Sequence, residues 1–114
     1  MRHKESEIQR NCIKWIRLKH PELTCFAIPN GGGRSEIEGA ILKGEGVLAG
    51  VADLFLMRAS FAEHGLFIEI KTEKGRQTDS QKAFEAACAR EDYGYVVVRS
   101  VSEFMSVVEN YLKR

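Results

Sequence analysis

The sequence predicts an α/β domain in which a mixed sheet is flanked by helices. Four short apolar runs, in TCFAIPN, GVADLFLM, LFIEIK and YGYVVVR, are rich in the β-branched and aromatic residues that suit a pleated surface. Three longer segments repeat apolar residues at helical spacing, before the first run, between the third and fourth, and after the fourth. The order α-β-β-β-α-β-α leads to a mixed sheet with a right-handed crossover after the third strand.

The first helix is expected from about Glu5 to Lys19, because Ile8, Cys12, Trp15 and Ile16 share one stripe and Pro21 stops the pattern. TCFAIPN then reads as a short strand ended by Pro29 and Asn30. Residues 31–46, GGGRSEIEGAILKGEG, are glycine-rich and irregular, with EIEGAILK as a short helical turn. VADLFLM is the second strand, RASFAEHG a hairpin-like connection and LFIEIK the third strand, followed by the polar loop TEKGRQTD. A helix from about Asp79 to Arg90 would turn Ala83, Phe84, Ala87 and Cys88 inward, with Thr78 or Asp79 as its cap. YGYVVVR is the fourth strand. SVSEFMSVVENYLK closes the chain as a helix carrying Phe104, Val107, Val108, Tyr111 and Leu112 inward.

A chain of 114 residues is long enough for one hydrophobic core and too short for two, so residues 1–114 are read as one domain. With 44% hydrophobic and 29% charged residues and no long polar tract, disorder is excluded as the main state. MRHKESEIQR holds no apolar run, which argues against a signal peptide, and no later stretch has the length of a membrane span. Cys12, Cys25 and Cys88 are odd in number and lack CxxC spacing, so they are expected as reduced core residues of a cytoplasmic protein. His3, His20 and His64 are isolated and are assigned to surface and loops; Trp15 is assigned to the core.

The net charge of +1 does not advertise a nucleic-acid partner. The distribution is more telling: Arg2, Lys4, Arg10, Lys14, Arg17 and Lys19 crowd the first twenty residues, and Lys71, Lys74, Arg76 and Lys82 follow the third strand. Such clusters could meet a phosphate backbone, though on charge alone solvated helix faces are the simpler reading.

Within LFIEIK, Leu66, Ile68 and Ile70 take one face of the strand, while Glu69 and Lys71 share the other. Asp53 likewise interrupts the apolar run of the second strand. One reading makes Glu69 and Lys71 an ion pair on an exposed sheet face, with Asp53 at a strand end. The other brings Asp53, Glu69 and Lys71 together at one end of the sheet, and it accounts for both interruptions at once. Two carboxylates there form an oxygen site for a hard divalent cation, with an ammonium beside it to orient water or to stabilise charge on a phosphate. NGGGR lacks the lysine–serine or lysine–threonine ending of a nucleotide-binding loop. It reads instead as a glycine loop that lets backbone approach DNA, with Arg34 on a phosphate, or as a plain connector.

These pieces, in order, carry a resemblance: Glu7 in the first helix, PNGGGR, GVADLFL around Asp53, IEIKTEKGRQT around Glu69 and Lys71, and Gln81 opening the next helix. Together they resemble the VRR-NUC domain, the virus-type replication–repair nuclease module of the PD-(D/E)xK superfamily, in its small stand-alone phage and bacterial form. The series covers nearly the whole chain. One position departs from it, since Ala52 stands where the family's GVPDL loop has proline; this affects the stiffness of the approach to Asp53 and not the chemistry. The resemblance implies a restriction-endonuclease-like αβββαβ core. It implies Mg²⁺ or Mn²⁺ held by Asp53, Glu69 and the Ile70 carbonyl, with Glu7 completing the acidic cluster, although a helix-start Glu favoured by the dipole is also an ordinary finding. It further implies Lys71 as a catalytic residue and Gln81 in contact with Lys71 or the attacking water. Arg34, Lys74, Arg76 and the basic face of the first helix would hold DNA. The implied activity is structure-selective DNA cleavage, with Holliday junctions cut by a homodimer in DNA repair and no organic cofactor. A non-catalytic nucleic-acid-binding module of the same fold, or a nuclease acting on flaps, nicks or single strands, stands as the alternative.

Overall fold

The structure, a computed structural model, describes residues 2–29 and 35–114. Its elements follow the chain as α1 (Arg2–Lys19), β1 (Cys25–Ala27), α2 (Glu36–Gly44), β2 (Leu54–Leu56), β3 (Leu66–Ile70), α3 (Asp79–Arg90), β4 (Gly94–Val98) and α4 (Val101–Leu112). The four strands form one sheet in the order β1-β2-β3-β4, the first two pairings antiparallel and the last parallel. The expected mixed α/β sheet is therefore the fold.

Helices α1 and α4 pack on each other and cover one face, where Cys12, Ile16, Leu54, Ile68, Ile70, Val98, Phe104 and Val108 form the core. Tyr111 is buried there too, and its hydroxyl donates to the Arg58 carbonyl at 2.7 Å, so the core carries no unsatisfied phenol. Helix α3 lies on the opposite face, with Phe84 edge-on to Phe67 of β3 and tilted against Tyr95 of β4. Strand β3 is thus the middle of a three-layer arrangement and is covered on both sides. This is why its one charged residue, Glu69, is out of reach of bulk water.

Several elements differ from expectation in ways the local chemistry explains. Helix α1 starts at Arg2, ahead of Glu5, since no proline or glycine interrupts the first turn. The expected helical turn in EIEGAILK is a nine-residue helix, because Ser35 accepts from the Glu38 N–H while the Glu38 carboxylate takes the Ser35 N–H. Strand β2 is only three residues long, so Asp53 stands just before it. Thr78, and not Asp79, caps α3. His20 is not a plain surface residue: its ring sits between Glu22 and Glu109, at 3.4 and 3.2 Å, and ties the end of α1 to α4. Trp15 is partly buried, edge-on to Phe104.

The three cysteines are free and buried, and burial pushes Cys12 up to about 12 and Cys25 and Cys88 to about 11, so none is a reactive thiolate at neutral pH. Among the described residues, no helix is long and apolar enough to cross a membrane.

Gly50 seats the segment leading to Asp53 against the start of α3. Its φ is +89°, and a Cβ added there would lie 2.3 Å from the Ser80 carbonyl oxygen, closer than any side-chain carbon approaches. Gly50→Ala should destabilise the fold by about 2–3 kcal/mol, from backbone strain together with the forced separation of the two segments. Urea unfolding checks this; a variant as stable as the parent would mean the two segments are not held together.

Candidate active site

The register that pairs Leu54 with Ile68 continues to Asp53 opposite Glu69, and opposed residues of an antiparallel pair project to the same face. An Asp53 carboxylate oxygen, Oδ2, accepts from the Ile70 N–H at 2.7 Å, which fixes the side chain against β3. The Asp53 carbonyl accepts from Ile28 N–H at 2.8 Å, so the residue is held from the β1 side as well. Ala52, at the position where the family has proline, is fully buried, and packing supplies the stiffness that a proline ring would give.

Glu69 is 3% exposed, and the exposed ion pair considered from sequence is excluded by this burial. Its Oε2 accepts from Gln81 Nε2 at 3.0 Å, while its Oε1 is buried with no hydrogen-bond partner. Desolvation first, then the nearby Asp53 charge, raise the Glu69 carboxyl to about 8, and Lys71 pulls in the other direction. A buried carboxylate oxygen facing a second carboxyl needs a shared proton or a cation. Among the described residues, no three His, Cys, Asp or Glu side chains converge as a ready cage for a metal. The donor set fits Mg²⁺ or Mn²⁺ nonetheless, since such ions take one or two carboxylates and complete their shell with water and phosphate oxygens.

Gln81 stands one turn inside α3, and its amide works in two directions. Its Oε1 accepts from Thr78 N–H at 2.8 Å, closing the capping box, while its Nε2 holds Glu69. Its contact is thus with Glu69, where the sequence suggested Lys71 or a water. Lys71 follows β3 on the Glu69 side, is 8% exposed, and donates its backbone N–H to Val98 at 3.0 Å.

Glu7 is exposed and lines an open groove of about 720 Å³ together with Lys4, Ile8, Thr72, Glu73 and Lys74. The α1 carboxylate whose charge reaches Glu69 is Glu5. The sequence held a signal for it, because Glu5 precedes Ile8 and Cys12 by three and seven positions and so lies on the buried stripe. Lys74 and Arg76 are exposed on the loop that follows Lys71, and Lys74 lines the groove. Arg34 lies outside the described residues.

The Glu69 environment makes a pH prediction for the protein in chelator. An unfolded glutamate releases its proton near 4.5, whereas the folded chain keeps it up to about 8. The folded state therefore binds more protons across that window, so this contribution to stability is complete below 4.5 and is lost as pH rises through about 8. Glu69→Gln, neutral throughout, should flatten that part of the curve and melt higher than the parent at alkaline pH. Thermal melts across the window measure it, and parallel curves for the two proteins would contradict it.

The sequence model of the VRR-NUC domain matches residues 3–102. A solved structure described as a VRR_NUC domain protein superposes with a TM-score of 0.82 at 29% identity, covering 96% of this chain and 88% of the other. No curated protein matches the sequence. The family-model match and the superposition both run along nearly the whole chain, and the chain belongs to the VRR-NUC family of nuclease-type domains.

Proposed function

We propose that the protein is a Mg²⁺- or Mn²⁺-dependent endonuclease that hydrolyses phosphodiester bonds in DNA. The observation carrying this reading is the buried, unpartnered Glu69 Oε1 beside Asp53, with Lys71 on the same side of the strand. Asp53, Glu69 and the Ile70 carbonyl would hold the ion, which when bound supplies Lewis-acid polarisation of a phosphoryl oxygen and a more acidic water. Gln81 fixes the plane of the Glu69 carboxylate. Lys71 orients the attacking water and stabilises the charge that builds on the phosphate oxygens as the new P–O bond forms and the ester P–O bond breaks. The attacking water gives up its proton to solvent, and the leaving oxygen takes one from solvent. Lys74 and Arg76 hold the flanking phosphates, and Arg34 is assigned the same role from sequence.

The reading extends to branched DNA cut by a homodimer in a cytoplasmic setting that keeps the thiols reduced. One site per chain cuts one strand, and a two-fold dimer offers two equivalent sites to a two-fold junction. Helix α2 is consistent with such pairing, since among the described residues it packs against no other helix or strand and leaves Ile37 and Ile41 exposed. No recognition module for base edges stands beside the site among the described residues, so selectivity would come from DNA shape.

A cleavage panel tests this: four-way junctions, flaps, nicked and linear duplexes and single strands, each with Mg²⁺, Mn²⁺, Ca²⁺ or chelator, alongside sedimentation. The expected result is a dimer that cuts junctions in preference to linear duplex with Mg²⁺ or Mn²⁺ only. Asp53→Asn should abolish cleavage and weaken Mn²⁺ binding. Lys71→Ala should lower turnover by about a hundredfold or more while Mn²⁺ still binds. DNA binding with no cleavage under any metal would favour the non-catalytic binding module, and preferred cutting of flaps, nicks or single strands would replace the junction assignment.

A further inference from the structure

We infer that Arg99 is a positioning residue of the cleavage reaction, holding the 72–75 loop as a wall that keeps Lys71 aimed at the site; this rests on the nuclease reading above. Strands β3 and β4 run parallel with Ile70 opposite Val98, so Lys71 and Arg99 leave the sheet at the same end. Just beyond the last ladder bond, one guanidinium nitrogen of Arg99, Nη1, donates to the carbonyls of Gly75 at 2.6 Å and Thr72 at 2.8 Å, with Glu73 at 3.3 Å. Three carbonyl dipoles converge on one cation, an arrangement stronger than hydrogen bonds between neutral groups. The loop also closes on itself through Gly75 N–H to the Thr72 carbonyl at 3.1 Å.

The held loop touches the reaction machinery on two sides. A Cβ built on Gly75 would lie 3.3 Å from Lys71 Cδ and 3.2 Å from Thr72 Oγ1, so the bare backbone of Gly75 is the surface on which the Lys71 stem rests. Thr72, Glu73 and Lys74 of the same loop form one wall of the groove facing α1. A lysine has a flexible four-carbon stem, and its ammonium stays aimed only while something confines that stem. The Arg99 guanidinium is engaged with the loop carbonyls, so its effect should fall on the rate of the chemical step.

The test compares Arg99→Met and Arg99→Lys with the parent chain on the DNA the parent cuts, with Mn²⁺ calorimetry and hydrogen exchange of the loop amides. Arg99→Met should lower kcat by between about tenfold and about a hundredfold, with a smaller change in KM. Mn²⁺ binding should be retained and exchange at the Gly75 amide should accelerate. Arg99→Lys, whose ammonium reaches only part of the carbonyl cluster, should recover part of the loss. Parental kcat in Arg99→Met would overturn the inference, and so would a kcat loss matched by an equal loss of Mn²⁺ binding, which marks a general fold defect. Should Arg99→Met fail to fold, Gly75→Ala poses the same question from the other side of the contact. A severalfold fall in kcat with Mn²⁺ binding intact supports the inference, and parental kcat overturns it. A parent chain that cuts no DNA overturns the nuclease reading and this inference together, and that failure is distinguishable because it lies in the parent.

Discussion

The burial of one carboxylate on the middle strand organises this end of the molecule. Glu69 sits on β3 between the α1/α4 layer and α3, at 3% exposure, where an isolated negative charge is costly. Burial, and then the Asp53 charge, raise the carboxyl to about 8, so it keeps its proton at neutral pH. A divalent cation would replace that proton, and the same burial would then become favourable.

Each neighbouring element contributes to that arrangement through ordinary folding chemistry. The antiparallel register brings Asp53 opposite Glu69, and the Ile70 N–H locks it there. The capping box of α3 places the Gln81 amide so that one end satisfies the helix start and the other grips Glu69. The parallel pairing of β3 with β4 brings Arg99 beside the loop that Lys71 enters. Stability and site geometry therefore share the same hydrogen bonds, and a change at Gln81 would loosen a helix and a carboxylate together.

Much of this was legible in the sequence because it is local. The alternation in LFIEIK identifies Glu69 and Lys71 as sharing a face, and Asp53 reports itself by breaking an apolar run. Thr78 with Gln81 three residues on is a capping pattern, so the start of α3 follows from composition. What sequence did not disclose is long-range. The Arg99 partners are 24 to 27 residues away, and no spacing rule links a residue after β4 to a loop after β3. The burial of Glu69 depends on α3 crossing the face opposite α1, which no single strand records. The sequence motif directs attention to Glu7, which lines the groove, while the helical stripe through Ile8 and Cys12 also carries Glu5, whose charge reaches Glu69. The extent of α2 was underestimated because glycines at both ends obscured the Ser35–Glu38 box.

Anomalous diffraction from crystals grown with Mn²⁺ decides whether Asp53 and Glu69 form the metal-binding half of a nuclease site. A strong manganese peak is expected between the Asp53 and Glu69 carboxylates, bonded to Glu69 Oε1 and the Ile70 carbonyl. Manganese found only elsewhere on the chain, with Glu69 Oε1 still without a metal partner, would contradict that assignment.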